Sequence, residues 1–273
     1  MTVSQQVVPA IITNGFLAKV LPHSGIYMLF LIKGKAKFHK SYTSIDAMAS
    51  AVEWFERSGH TVYHACGAFH TETSRQAENA AHFRSFFLDL DCGPQKAIEG
   101  KGFVDKAAAL NALREFCKKL YLPKPTIIDS GGGFHAYWTL KDDIEADEWL
   151  PVARKLKQLT KFHKFPADDA RTADKASVLR PVGAANLKYS PARQVKAINV
   201  ADDAAFADFK AKIEAAESLL ASYGSIVIIP AAAQVDRNLL GMFSSAETPV
   251  NIKRIQEALS CVPADSCYEV WRD

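Results

Sequence analysis

The stretch Phe86-Phe87-Leu88-Asp89-Leu90-Asp91-Cys92-Gly93 sets two carboxylates two residues apart at the end of an apolar run. Side chains of a strand alternate between its faces, so Asp89 and Asp91 project from the same side. Two anions a few Å apart repel, and one of them holds its proton unless a divalent cation sits between them; oxygen ligands at this spacing point to Mg²⁺ or Mn²⁺. Asp-x-Asp at a strand end serves phosphatases, nucleases, glycosyltransferases and polymerases, and it is also an ordinary solvated strand terminus. A second stretch, Ser130-Gly131-Gly132-Gly133-Phe134-His135-Ala136-Tyr137-Trp138-Thr139-Leu140, joins three glycines to a strand whose His135, Tyr137 and Thr139 share one face. Consecutive glycines cost backbone entropy, so they need a local reason: close approach to a ligand with amides converging as an anion nest, or a hairpin turn. A third stretch, Pro166 to Lys188, adds Asp168 and Asp169 and then the cations Arg180 and Lys188. A further carboxylate with two cations is what a metal and triphosphate site still lacks.

These residues need elements to hold them. Gly25 to Lys33 reads as a strand, Gly34 as a turn, and Ala36 to Ser41 as its half-exposed partner. Lys33, Lys35, Lys37, His39 and Lys40 line this hairpin, as solvated charges protecting a sheet edge do. Ser44 caps a helix to about Arg57 that Gly59 stops, and Thr61 to Ala68 is the next strand. His60 and His64, four apart in a segment of β-formers, do not converge on a metal. A polar loop, Thr71 to Asn79, leads into the carboxylate strand and is placed to lie over a substrate strand. Helices are expected over about Val104–Leu120, Ala146–Phe162 and Asp202–Ser222, with a short strand at Thr126–Asp129.

Composition sets the bounds. With 273 residues, 48% of them hydrophobic, the chain can bury a sizeable core. The longest apolar run, Ile26 to Ile32, is far short of a membrane span, and Met1 to Gln6 lacks the basic start of a signal peptide, so a cytoplasmic protein is expected. Five scattered cysteines without a Cys-x-x-Cys argue against a disulfide framework and against zinc. A net charge of +3 demands no polyanionic partner, so any nucleic-acid contact must come from local clusters of Lys and Arg.

Taken together, an apolar strand ending Asp-x-Asp, then Ser-Gly-x-Gly-x-His with aromatic strand residues, then Asp leading to Val-Leu-Arg-Pro-x-Gly-x-x-Asn-x-Lys, resembles the catalytic core of the archaeo-eukaryotic primase superfamily, and within it the primase-polymerase domains of phage and plasmid replication proteins. The resemblance implies an α+β fold in which an α/β module and an RRM-like sheet face each other across the active-site cleft, with a short helical segment at the C-terminus. It implies DNA primase and polymerase activity: two-metal addition of nucleoside triphosphates on a single-stranded DNA template, in a bacterial or archaeal host cell. Carried over residue by residue, Asp89, Asp91 and Asp169 match the metal ligands, with Asp168 adjacent to the last. His135 matches the nucleotide-contacting histidine, while Ser130, Gly131, Gly133, Arg180 and Lys188 would hold the triphosphate. Arg75, Asn79 and Arg84 are the residues expected to meet the template through phosphate contacts and base stacking. The pattern departs from the family at Val182 to Ala185, where Pro-Gly-Thr is frequent, and at Ser177, frequently Arg. A metal-dependent nuclease or phosphohydrolase, or a non-catalytic replication-initiator module, could use parts of the same set. The expected organisation is a catalytic domain over 1–229, a linker over 230–249 rich in Pro, Ala and Ser, and over 250–273 the start of a helical module of the kind that precedes a helicase.

Overall fold

Strand alternation and helix caps produce two antiparallel sheets. This is a computed structural model, and it describes residues 10–225, all within one unit of the chain. The chain runs α1 (Ala10–Val20), β1 (Tyr27–Lys33), β2 (Ala36–Tyr42), α2 (Ile45–Arg57), β3 (Thr61–Ala65), β4 (Ala68–Phe69), β5 (Ala80–Asp91), α3 (Pro94–Ile98) and α4 (Lys106–Lys119). It continues with β6 (Thr126–Asp129), β7 (Gly133–Glu145), α5 (Ala146–Phe162), α6 (Asp169–Thr172), β8 (Val178–Leu179), β9 (Ala185–Asn186), β10 (Arg193–Gln194), β11 (Lys196–Asn199) and α7 (Phe206–Ser225). Among the described residues no helix is long and apolar enough to cross a membrane. The expected domain boundary at 229, the linker over 230–249 and the helical segment over 250–273 lie outside the described residues.

The first sheet has the order β2-β1-β3-β8 and the second the order β11-β6-β7-β5-β4; β9 and β10 form a two-stranded ribbon. In the second sheet the succession β5-α4-β6-β7-α5, with β7 seated between β6 and β5, is the RRM-like arrangement the sequence resemblance implied. The result is an α+β fold.

Local rules account for most boundaries. Ser44 caps α2 as expected, its hydroxyl accepting from the Ala47 amide, and Asp105 caps α4 through the Ala108 amide. Met48, Val52 and Phe55 of α2 are buried, and β2 is the sheet edge the lysine-rich hairpin announced. One face of the second sheet is an aromatic core: Phe86 stacks on Phe209 of α7 at 4.7 Å and lies 5.8 Å from Trp149 of α5. The other face meets α1 and the first sheet, where Phe16 sits edge-on to His64 at 5.4 Å and to Tyr137 at 5.8 Å. The expected strand Thr61–Ala68 is divided. It ends at Ala65, where Cys66 donates its amide to the Ser177 carbonyl, and Ala68–Phe69 crosses to pair with β5 in the other sheet.

Candidate active site

The carboxylate strand ends where the two sheets meet. β5 lies between β4 and β7 and is antiparallel to β7, with Asp89 directly opposite His135 and Asp91 opposite Gly133. Opposed residues of an antiparallel pair share a face; the Asp89, Asp91 and His135 side chains therefore come from one surface. His135 Nε2 stands 3.8 Å from Asp89 Oδ1. The end of β5 is clamped: the Phe103 amide donates to the Asp91 carbonyl at 2.9 Å and the Cys92 amide to the Gly132 carbonyl at 3.0 Å.

Crowding of like charge is the main electrostatic fact here. Burial, then the neighbouring Asp91 and Asp168 carboxylates, push the Asp89 carboxyl up to about 7, against the weaker opposing pull of Arg171 and Arg180. His135 is buried, and desolvation followed by the nearby His64 and Arg180 drives its pKa well down, so at neutral pH it is an uncharged imidazole. Its Nδ1 has no hydrogen-bond partner among the described residues. Asp91 is more open and pairs with Lys96 Nζ at 2.7 Å.

The third carboxylate at this site is Asp168 rather than the expected Asp169. Asp168 donates its amide to the Asp89 carbonyl at 2.8 Å, which ties the loop before α6 to the carboxylate strand. As N-cap of α6 it also accepts from the Ala170 amide at 2.9 Å, and its other oxygen lies 3.7 Å from Arg171 Nε. Asp169, the first helical residue, is rotated away from the strand. Its carboxylate pairs with Lys161 at 3.1 Å and lines a pocket of about 380 Å³ with Lys164 and Phe165.

Arg180 follows β8 and is buried. Its Nη2 donates to the Tyr63 hydroxyl at 2.8 Å and its guanidinium carbon lies 4.8 Å from the centre of that ring. Its Nε is buried and unpartnered. Lys188 is exposed on the loop beyond β9, where its amide donates to Asn186 Oδ1 at 3.3 Å, and Asn186 in turn donates to the Ser130 carbonyl at 3.0 Å.

The glycine run builds the hairpin turn that was the alternative to an anion nest, and the Gly131 amide is not free to join such a nest. Gly131, at φ +83°, donates its amide to Asp129 Oδ1 at 2.8 Å, and that carboxylate is itself held by Lys106 at 2.6 Å. Ser130 donates to the Gly133 carbonyl at 3.0 Å, closing the β6–β7 hairpin. A Cβ on Gly133 would lie 1.9 Å from the Leu90 carbonyl oxygen, so glycine here lets β7 pass against the end of β5. Nor is the expected template set a single surface. Arg84 is buried and laces the core, donating to the carbonyls of Leu140 at 3.0 Å and Ala18 at 2.6 Å and to Asp203 Oδ2 at 3.2 Å. Asn79 braces its own loop through Thr71 and Ser74. Arg75 reaches out of that loop to the Ala176 carbonyl and lies 5.2 Å over the Phe30 ring.

Lys96, Arg171 and Tyr63 complete the site and were not singled out from the sequence. Lys96 and Arg171 are legible in retrospect as cations one helical turn from an acidic residue or just past one. Tyr63 is contributed from the other sheet, and nothing local marks it.

A divalent cation fits this donor set in one particular way. Among the described residues no group of three or more His, Cys, Asp or Glu side chains converges on one metal-sized point. What converges is a pair of same-face carboxylates, with Asp168 close enough to raise the proton affinity of Asp89. That matches Mg²⁺, which commonly takes one or two carboxylates and completes its shell with water and substrate phosphates.

Sequence comparison gives no match to any protein-family model or to any curated protein. Structure comparison does. The primase-polymerase domain of cyanophage S-2L superposes with a TM-score of 0.54 at 12% identity, over 77% of this chain and 98% of that one. Primase RepB′ matches with a TM-score of 0.51 at 13% identity, over 80% of this chain and 65% of that one. The catalytic domain of RepB′, solved in complex with initiator DNA, gives 0.50 at 14% identity over 79% and 97%. With its RRM-like sheet and the carboxylates at the end of β5, the chain shares the α+β fold of these phage primase-polymerase and plasmid primase domains.

Proposed function

We propose that this chain is a template-directed nucleotidyltransferase, a DNA primase and polymerase that adds nucleoside triphosphates on single-stranded DNA in the replication of a phage or plasmid. The observation that carries the reading is the close grouping of Asp89, Asp91 and Asp168 with a neutral histidine and a buried arginine. A hydrolase acting on a bare phosphodiester needs the carboxylates; a buried guanidinium beside them suits a substrate that brings several phosphates.

Asp89 and Asp91 would hold the metal, and Asp168 would add negative charge or a further ligand. A divalent cation held there would supply the positive charge that makes a 3′-hydroxyl nucleophilic and neutralises the leaving pyrophosphate. Arg180, pinned by the Tyr63 hydroxyl, presents the guanidinium of its end of the site to the triphosphate. His135, uncharged, donates a hydrogen bond to a phosphate oxygen without competing for the metal. Lys96, half exposed and paired with Asp91, would be free to meet a phosphate if that carboxylate took another partner.

Incubation with a single-stranded template, Mg²⁺ or Mn²⁺ and labelled ribo- or deoxynucleoside triphosphates, with product sizing, tests the reading. Template-dependent extension or primer synthesis is expected. Strand cleavage without incorporation would replace it with the nuclease reading, and neither activity, with no divalent-dependent nucleotide binding, would leave a non-catalytic module.

A further inference from the structure

Among the described residues the four-stranded sheet has no helix packed on one of its faces, and that face has a distinctive composition. Leu29, Leu31, Val62 and His64 are buried on the side of α1 and α2, as shown by Phe38, the partner of Leu31, lying 6.3 Å from Phe55. The intervening residues point the other way. Across the strands Tyr63, Phe30 and His39 are direct register partners and form one row; Thr61, Ile32 and Lys37 form the next. Lys37 and His39 are exposed, and Phe30 and Tyr63 are partly so. The Phe30 and Tyr63 rings lie 6.2 Å apart, and each has a guanidinium over it, Arg75 at 5.2 Å and Arg180 at 4.8 Å from the ring centre. Strands β1, β2 and β3 contain no acidic residue, and neither Lys37 nor its neighbours Lys33, Lys35 and Lys40 form an ion pair among the described residues. Arg180 belongs both to this row and to the carboxylate site.

We propose that the open face of this sheet, from Arg180 and Tyr63 through Phe30 and Arg75 to Lys37 and His39, is the track on which single-stranded DNA is led to the carboxylate site. The proposal deepens the nucleotidyltransferase reading and rests on it. Aromatic rings and guanidinium planes stack unpaired bases, which a duplex keeps hidden, and the flanking lysine takes the phosphates. Two rings in one row with cations on both sides, and no carboxylate on the three strands, suit that ligand and repel none of it. Edge protection alone would be served equally by lysines on either face of β2; the row of aromatics lies on only one.

That difference supplies the test. Lys37 and Lys40 lie on opposite faces of the same strand, opposite Ile32 and Leu29 respectively. Binding of a fluorescently labelled oligo-dT to the full chain is measured by anisotropy over a range of salt, in EDTA. Lys37→Gln is expected to weaken binding several-fold and to flatten the dependence of log K on log salt by about 0.7. Lys40→Gln is expected to change affinity less than about twofold, as a charge off the track does. Phe30→Leu is expected to weaken binding about tenfold at unchanged salt slope. Equal effects at Lys37 and Lys40, or a duplex that competes as well as the single strand, would overturn the track. Should Phe30→Leu fail to fold, the two surface lysines still decide it. Nucleotide incorporation by the wild type, scored separately, tells the two failures apart: incorporation with no Lys37/Lys40 difference sinks the track alone, and no incorporation sinks the enzyme reading while the binding series still decides the surface.

Discussion

The end of β5 and the open face of the four-stranded sheet are built from the same material, antiparallel strands with one buried side, yet they carry opposite imbalances. At the end of β5 the excess is negative and partly desolvated: Asp89 holds its proton up to about 7 because burial and two further carboxylates disfavour its charge. On the open face the excess is positive: Arg75 and the buried Arg180 lie over two aromatic rings, and Lys37 is exposed in the next row. The first imbalance would be relieved by a small cation, the second by an extended anion. Arg180 stands between them, and its geometry ties the surface that would hold a strand to the residues that would act on its terminus.

The comparison is broken most directly at the carboxylates. Asp89→Ala with Asp91→Ala should lower nucleotide incorporation by on the order of 10³-fold or more, the loss expected when a metal site worth several kcal/mol is removed. Oligo-dT affinity should stay within about twofold and the fold should persist, since removing repelling anions relieves the site. Near-normal synthesis in the double variant would remove the site assignment. Arg180 tests the junction: Arg180→Ala should cost about 10²-fold in kcat/KM for nucleotide and also weaken oligo-dT binding, the only single change here that affects both regions. Arg180→Lys should not rescue it, because an ammonium cannot keep both the stacking and the hydrogen bond to Tyr63. A loss confined to one of the two assays would separate regions that the structure joins.

A smaller effect sharpens the catalytic side. Asp168→Ala should reduce incorporation roughly tenfold, whereas Asp169→Ala, whose carboxylate pairs with Lys161 outside the strand pair, should remain near wild type. The reverse ranking, measured as kcat at saturating Mn²⁺, would restore Asp169 as the third carboxylate. The smallest effect is a pH dependence of stability without metal. The Asp89 carboxyl rises from 3.8 to about 7 on folding, so between these values the folded state binds more protons than the unfolded one. Stability from this group is therefore full below 3.8 and is lost as pH rises to about 7. Thermal melts in EDTA should show Tm falling by a few degrees over that window, with Asp89→Asn flattening the slope and Mg²⁺ at pH 8 restoring Tm, on the order of what a kcal/mol does in a domain of this size. An unchanged slope in Asp89→Asn would mean that another group carries the titration.

What the sequence determined by itself is what depends on neighbours along the chain. The strands β1 and β2, the same-face placement of Asp89 and Asp91, the Ser44 cap and the spans of β6 and α5 follow from local hydrophobic runs, from periods of two and 3.6 residues and from local hydrogen bonds. The order of the three motifs was enough to indicate the fold. Helix α1 was missed because its sequence, AIITNGFLAKV, carries a central glycine and no acidic residue in its first turn, so tertiary burial of Phe16, Leu17 and Val20 decides it. The same limit applies at the site. Whether Asp168 or Asp169 faces β5 turns on one hydrogen bond to the Asp89 carbonyl, 79 positions earlier in the chain. Arg84 looks from its sequence like a cation free to meet a template, and the tertiary structure spends it on three partners distant in sequence. Tyr63 and Phe30 look like ordinary strand aromatics; only the pairing of β1 with β3, and the return of the chain through Arg75 and Arg180, makes them a surface. Residues far apart in sequence become one site only when the sheets close, because charge and stacking act over a few Å of space and carry no mark in the local pattern.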